Sequence, residues 1–152
     1  MKTCALQALG VVGFVALVAI SGCTPSALDR NPTAWEPVLA DAFAKQPYAG
    51  QCAWLRQMRA NGVTLTAADK AMIEPAMMAA GLTPREIAYA EAGAPSISTG
   101  DTYRQVVCHG GTLINDAFYS GTGHQWQMRV GSSYVYLEGD GTEGGMRVTG
   151  WN

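Results

Sequence analysis

The chain has few residues that could carry enzymatic chemistry. Its only histidines are His109 and His124, and neither has a partner at the helical spacing of a zinc site. No Gly-x-Ser-x-Gly segment is present to place a nucleophilic serine on a sharp turn. Glu86 and Glu91 lie five residues apart, too far round a helix for a paired acid and base. We therefore predict a protein that is not an enzyme, with no catalytic residues, no metal and no cofactor. A small hydrolase is an alternative that we rank below the two binding functions described at the end of this subsection.

Basic charge is also scarce, with 10 Lys and Arg against 12 Asp and Glu and no basic stripe. This argues against nucleic acid as a partner, because such proteins need a positive surface for phosphates. The stretch Gly139–Gly144 has the letters of a dinucleotide-binding loop, but the residues after it predict a strand where the motif needs a helix. Its carboxylates are too few for a dedicated calcium site. We interpret it as a solvated turn.

The longest apolar run is confined to the N-terminus. Lys2 precedes apolar residues Leu9–Ile20, a run shorter than the about 20 residues that span a bilayer comfortably. Residues 1–22 are thus typical of an export signal. Ile20-Ser21-Gly22-Cys23 resembles the bacterial lipobox, which implies signal cleavage and acylation of Cys23. The alternative is ordinary secretion.

Lipidation of Cys23 predicts a lipid-anchored protein, because two or more acyl chains hold a protein stably on a bilayer. Thr24 follows Cys23, where an inner-membrane retention signal usually has Asp, so we expect the periplasmic face of the outer membrane. The predicted organisation is a signal peptide at 1–22, a lipidated cysteine and tether at 23–32, and a single domain at 33–152.

Cysteines become few once the signal is removed. Cys4 lies in the signal and Cys23 is the predicted anchor, which leaves Cys52 and Cys108. Two remaining cysteines in an exported protein usually pair, so we predict a disulfide between them. A reactive Cys108–His109 pair is the alternative. Neighbouring residues of a strand point to opposite faces, which argues against that pair.

The sequence up to about residue 95 has helical periodicity, with capping boxes at Thr33–Glu36 and Thr83–Glu86. Gly93 and Pro95 end the last helix. Pro75 lies inside the third helical pattern, where we expect a kink or a break. The predicted helices run from Thr33 to about Lys45, from Gly50 to Asn61, from Thr66 to about Ala80 and from Thr83 to about Gly93.

After residue 100 the pattern changes to short runs separated by glycines, as in antiparallel hairpins. The predicted fold class is α+β, with N-terminal helices packed on a C-terminal antiparallel β-sheet. The predicted strands are Tyr103–His109, Asn115–Ser120, Gln125–Val130, Ser133–Glu138 and Met146–Trp151.

One hairpin allows a prediction of register. If Gly131-Ser132 is a type II′ turn, Trp126 pairs with Leu137 on the core side, and Met128 with Val135. The opposite side pairs Gln125 with Glu138, Gln127 with Tyr136, and Arg129 with Tyr134, the last as a cation–π contact. Tyrosine and arginine concentrate binding energy at interfaces. The residues assigned to the partner-binding surface are Trp126, Gln127, Arg129, Tyr134 and Tyr136.

Two alternatives to that surface stay open. The side that carries the tyrosines could be a plain solvated face, since tyrosine is common in strands. A groove lined by methionines could bind the partner instead, although methionines more often fill a core. The methionines concerned are Met58, Met72, Met77 and Met78.

A family resemblance covers the stretch from Gly81 to Leu137. A short helix of the form Gly-hydrophobic-Thr…Gly-x-Pro, followed by a tryptophan strand and a tyrosine-rich hairpin, resembles the SmpA/OmlA (BamE-like) family of small outer-membrane lipoproteins. The matching residues are Gly81, Leu82, Thr83, Ile87, Gly93, Pro95, Trp126, Tyr134 and Tyr136.

The resemblance implies a partner in outer-membrane assembly or envelope integrity. We therefore predict a non-enzymatic lipoprotein that binds an envelope protein. The alternative is an inhibitor or immunity-type lipoprotein that blocks an envelope enzyme, because fold does not decide function.

Overall fold

The structure is a computed structural model that describes residues 39–119 and 123–152. The predicted signal peptide, Cys23, the tether and the Thr33 capping box lie outside the described residues. Among the helices that are described, none is long and apolar enough to cross a bilayer.

The arrangement is α+β, as predicted, with helices in the N-terminal part and a four-stranded antiparallel sheet at the C-terminus. Residues 39–44 are helical and lead into the first complete helix. The helices are α1 (Tyr48–Ala60), α2 (Ala67–Ala79), α3 (Pro84–Glu91) and α4 (Tyr103–His109), and the strands are β1 (Thr112–Tyr119), β2 (Gly123–Val130), β3 (Ser133–Gly139) and β4 (Arg147–Trp151).

Three of the helices begin at the same local motif. Thr66, Thr83 and Thr102 each accept the backbone N–H three residues later, and the side chain at that later position bonds back to the threonine N–H. Such reciprocal capping satisfies donors that a helix start leaves unpaired. The box predicted at Thr83–Glu86 is confirmed, and Gly93, with φ 91°, has the left-handed conformation expected after that helix.

The strand predicted at Tyr103–His109 is wrong, because these residues form α4. Thr102 and Gln105 make a capping box before it, and Gly110, with φ 107°, ends it. The valines favoured a strand, but the caps satisfy the backbone within a single short helix. The prediction that the chain after residue 100 consists of short strands and turns is corrected with it.

Of the kink or break predicted at Pro75, the break does not occur, since α2 continues from Ala67 to Ala79. Proline lacks a backbone N–H, so α2 forgoes one hydrogen bond at this position. The carbonyl that loses this partner belongs to Ala71, which is an exposed residue, so the group is near solvent.

The sheet is a meander in the order β1-β2-β3-β4. Trp126 pairs with Leu137 and Met128 with Val135, so the predicted register is confirmed. Gly131 is the turn residue with a positive φ, 59°, as a type II′ turn requires. The β1–β2 ladder shifts register between Leu113 and Asn115, and the β3–β4 ladder between Tyr136 and Leu137.

Helix α4 joins two hydrophobic cores. Cys108 packs in the helical core with Leu55, Met77 and Ile87, whereas Val106 packs in the core beneath the sheet. The predicted Cys52–Cys108 disulfide is present, at a sequence separation of 56. It connects α1 to α4. Because Cys108 was predicted to lie in a strand, the bridge had been expected to join the helices to the sheet. The argument against a Cys108–His109 pair assumed a strand, so that premise was wrong.

A buried carboxylate links the caps of α3 and α4. Glu86, 2% exposed, accepts hydrogen bonds from the Thr83 N–H at 2.8 Å and from Thr102 Oγ1 at 2.7 Å. Arg104 Nη1 lies 4.0 Å from Glu86 and donates to the Gly81 carbonyl at 2.8 Å. The start of each helix is therefore positioned by the start of the other.

Candidate partner-binding face

The sheet has one face buried and one face open. The buried face carries Trp126, Met128, Val135, Leu137 and Val148, which pack around Val106 of α4. The opposite side, here called the outer face, is formed on the two central strands by Gln125, Gln127, Arg129, Tyr134, Tyr136 and Glu138. Each of these side chains is half-buried or exposed.

Hydrogen bonds across the strands order the centre of the outer face. The Gln125 amide donates to Glu138 at 3.1 Å. The Tyr136 hydroxyl accepts from the Gln127 amide at 3.5 Å and from the Asn152 amide at 3.4 Å. Tyr136 is therefore held in place by its neighbours, which lowers the entropy that a partner would have to remove on binding.

Tyr134 and Arg129 lie opposite each other, as the register predicted. The prediction of a cation–π contact between them is wrong. In the described part of the chain, the cation–π contact is between Arg104 and Tyr48, with the guanidinium carbon 5.7 Å from the centre of the ring. Tyr134 is 39% exposed, and Arg129 makes no ion pair with a described residue. Both side chains can reach a partner.

Trp126 lies in the core and not on the outer face. It is 6% exposed, its indole N–H donates to Asp116 at 2.8 Å, and its ring packs edge-to-face on Tyr103 with centroids 5.0 Å apart. Its assignment to the partner-binding surface is corrected for this reason. The remaining residues of that assignment, Gln127, Arg129, Tyr134 and Tyr136, are brought together on the outer face.

The methionines divide between core and surface. Met77 is fully buried in the helical core, whereas Met78 is half exposed. Met58 and Met72 line an apolar groove of about 40 Å³, together with Leu39, Ala40, Phe43, Trp54, Leu55, Leu65, Asp69 and Ile73. The groove is too small for a drug-sized ligand, since such sites usually enclose about 300 Å³ or more.

The two histidines lie on different elements. His109 ends α4, with Nδ1 2.9 Å from the Ala94 carbonyl and 3.5 Å from the Tyr89 hydroxyl. The Tyr89 hydroxyl donates to the Pro95 carbonyl at 2.7 Å, and burial, reinforced by Asp101, raises the pKa of Tyr89 to about 12. His124 lies on β2, 3.4 Å from Asp116. Across residues 39–119 and 123–152, no three His, Cys, Asp or Glu side chains lie close enough together to hold a metal ion.

The sequence did not predict one cluster of polar side chains, which consists of Tyr48, Arg104 and Glu143. Arg104 pairs with Glu143 at 3.4 Å, and burial, with Glu143 beside it, raises the pKa of Tyr48. Glu143 lies in the glycine-rich loop, which we interpreted as a solvated turn. The residues come from three separate segments, so no local pattern could have indicated their contact. Their role is to join the helices to the loop before β4.

No protein-family model, no curated protein and no solved structure matches this chain. The resemblance of Gly81–Leu137 to the SmpA/OmlA family therefore stays a prediction.

Proposed function

We propose that this protein is a non-enzymatic lipoprotein that binds a protein partner at the periplasmic face of the outer membrane. The anchor is acylated Cys23, and the tether after it places the domain within roughly 30 Å of the leaflet. The partner belongs to the outer-membrane assembly or envelope-integrity machinery, in line with the SmpA/OmlA resemblance.

The outer face is the observation that carries this proposal. It presents a half-exposed tyrosine, an arginine that makes no ion pair with a described residue, and a second tyrosine already held by two amides. Tyrosine and arginine supply much of the binding energy at protein interfaces. A surface of this composition, partly ordered by hydrogen bonds between side chains, favours protein binding over small-molecule binding.

The experiment places a photo-crosslinking amino acid at Tyr134 in the full-length protein. The partner captured by the crosslink is identified by mass spectrometry. That partner is then purified and titrated against the delipidated domain. A Tyr134→Ser, Tyr136→Ser double variant should lose most of its affinity while keeping its melting curve, because both side chains lie outside the core.

Met78→Ser is the matched control, since Met78 is a half-exposed side chain on the helical part of the molecule. Its binding should equal that of the wild type. Loss of binding in Met78→Ser, with the double tyrosine variant unaffected, would move the site to the methionine-bearing helices. An enzyme as the captured partner, with its activity blocked in the complex, would favour the inhibitor or immunity-type function instead.

A further inference from the structure

Strand β1 forms a free edge of the sheet. Among residues 39–119 and 123–152, it ends the strand order and pairs on one side, with β2. Residues 112–116 are all exposed, including the apolar side chains Leu113 and Ile114 at 39% and 49%. A large apolar side chain in water is common, but two in succession on an open edge indicate a surface suited to pairing.

The ladder identifies which backbone groups of β1 point outward. A two-residue turn makes Val130 and Ser133 a hydrogen-bonded pair, so alternate residues of β2 bond to β3 and the residues between them bond to β1. The Tyr134–Asn152 pair, which exchanges both backbone bonds at 3.1 and 3.0 Å, fits this alternation on the far side of β3. Residues of β1 that oppose Met128, Trp126 and His124 therefore direct their N–H and C=O groups away from the sheet; they are Leu113, Asp116 and Phe118.

Beyond its bulge, β1 has little of the protection that sheet edges usually carry. Lysine, proline or a short length normally discourages pairing at an edge. Thr112–Tyr119 spans eight residues with no Lys, Arg, Pro or Gly, and its bulge affects the N-terminal end. The other edge, β4, has five residues and contains Arg147, Gly150 and a register shift. An added strand would therefore meet less resistance at β1.

Charge selects the occupant of this edge. Asp116 is the only charged residue of β1, and its side chain is 52% exposed. A second copy of this chain pairing edge to edge would bring another Asp116 into the same stretch, and like charges facing each other are destabilising. A strand with a basic residue at that position would be favoured.

We infer that the edge of β1 binds an extended segment of the partner protein as a fifth strand, with a Lys or Arg side chain facing Asp116. This inference rests on the proposed function and adds how the partner is held. Main-chain hydrogen bonds at Leu113, Asp116 and Phe118 supply affinity, and the charge contributes specificity.

The test compares Asp116→Pro with Asp116→Ala. Both variants remove the carboxylate and its bond to Trp126, but proline alone removes the outward N–H. The probe is a synthetic eight-residue peptide of alternating valine and threonine with one central lysine. Its binding is followed by hydrogen exchange at the backbone amides of β1.

Slowed exchange is expected at the β1 amides in the wild type, with affinity reduced about fivefold further in Asp116→Pro than in Asp116→Ala, as for one lost hydrogen bond. A glutamate peptide should bind the wild type several-fold more weakly than the lysine peptide. An N-methylated lysine peptide, tested on the wild type, covers the case in which Asp116→Pro does not fold. Equal protection by the methylated peptide, equal binding by the two variants, or wild-type dimers that protect β1 without peptide would each overturn the inference.

The same two variants, titrated with the crosslinked partner, separate this inference from the proposed function. Loss of binding in the double tyrosine variant, with Asp116→Pro equal to Asp116→Ala, would overturn the edge while leaving the outer face in place. Unchanged binding in all of them would overturn both.

Discussion

Replacing Glu86 by alanine should destabilise the protein much more than the matching change at another helix start. The capping boxes of α2 and α3 have almost the same local geometry. Asp69 accepts from the Thr66 N–H and hydroxyl, both at 2.7 Å, and Glu86 accepts from those of Thr83 at 2.8 and 2.9 Å. Each local cap contributes about 1 kcal/mol.

Glu86 differs because it also accepts from Thr102 Oγ1 and is fully surrounded by protein. A hydrogen bond to a charged group contributes about 1.5–3 kcal/mol, and its loss leaves the partly buried Thr102 hydroxyl without this acceptor. We therefore expect Glu86→Ala to lower the free energy of unfolding by about 3 kcal/mol. Asp69→Ala should lower it by about 1 kcal/mol.

Urea unfolding of the delipidated domain, followed by circular dichroism, measures both variants. A double-mutant cycle of Glu86→Ala with Thr102→Ala then isolates the coupling between the two caps, expected to be about 1.5 kcal/mol or more. If the two single variants cost the same, or if the coupling lies within experimental error of zero, the Thr102–Glu86 bond does not join the helix starts energetically.

Three further predictions concern the disulfide, the buried Tyr89 and the anchor. Cys52→Ser, Cys108→Ser should lose about 4 kcal/mol of stability, as a loop of this length implies, and thiol counting on denatured, unreduced wild-type protein should find both cysteines unreactive. Burial raises the pKa of Tyr89 from its usual value near 10 to about 12, so the folded state favours the neutral phenol. Its contribution to stability is complete below pH 10 and is lost as the pH rises through about 12. Urea midpoints between pH 9 and pH 12 should fall less steeply in Tyr89→Phe than in the wild type, and equal slopes would contradict the assignment. Cys23→Ala should move the protein from the membrane pellet to the periplasmic fraction, whereas a variant that still pellets in high salt would refute acylation as the anchor.

The sequence alone was sufficient where a structure depends on neighbouring residues. The Thr83–Glu86 capping box and the glycine after α3 are local, since each satisfies backbone groups within one turn. The register of β2 and β3 was also predictable, because a two-residue turn sets the pairing and the hydrophobic alternation sets the face. These local rules placed Gln127, Arg129, Tyr134 and Tyr136 together without knowledge of the rest of the chain.

Tertiary structure decided what depends on residues far apart in the chain. Tyr103–His109 has the valines of a strand, but as a helix it sends Val106 into the sheet core and Cys108 into the helical core, which a strand feeding one sheet would not do. The register already placed Trp126 on the core side of the sheet, but only the packing of α4 decided that Tyr103 covers its ring. The bond between Thr102 and Glu86 and the position of β1 at the edge arise from how separate elements pack, and hydrophobic period carries no information about which elements become neighbours.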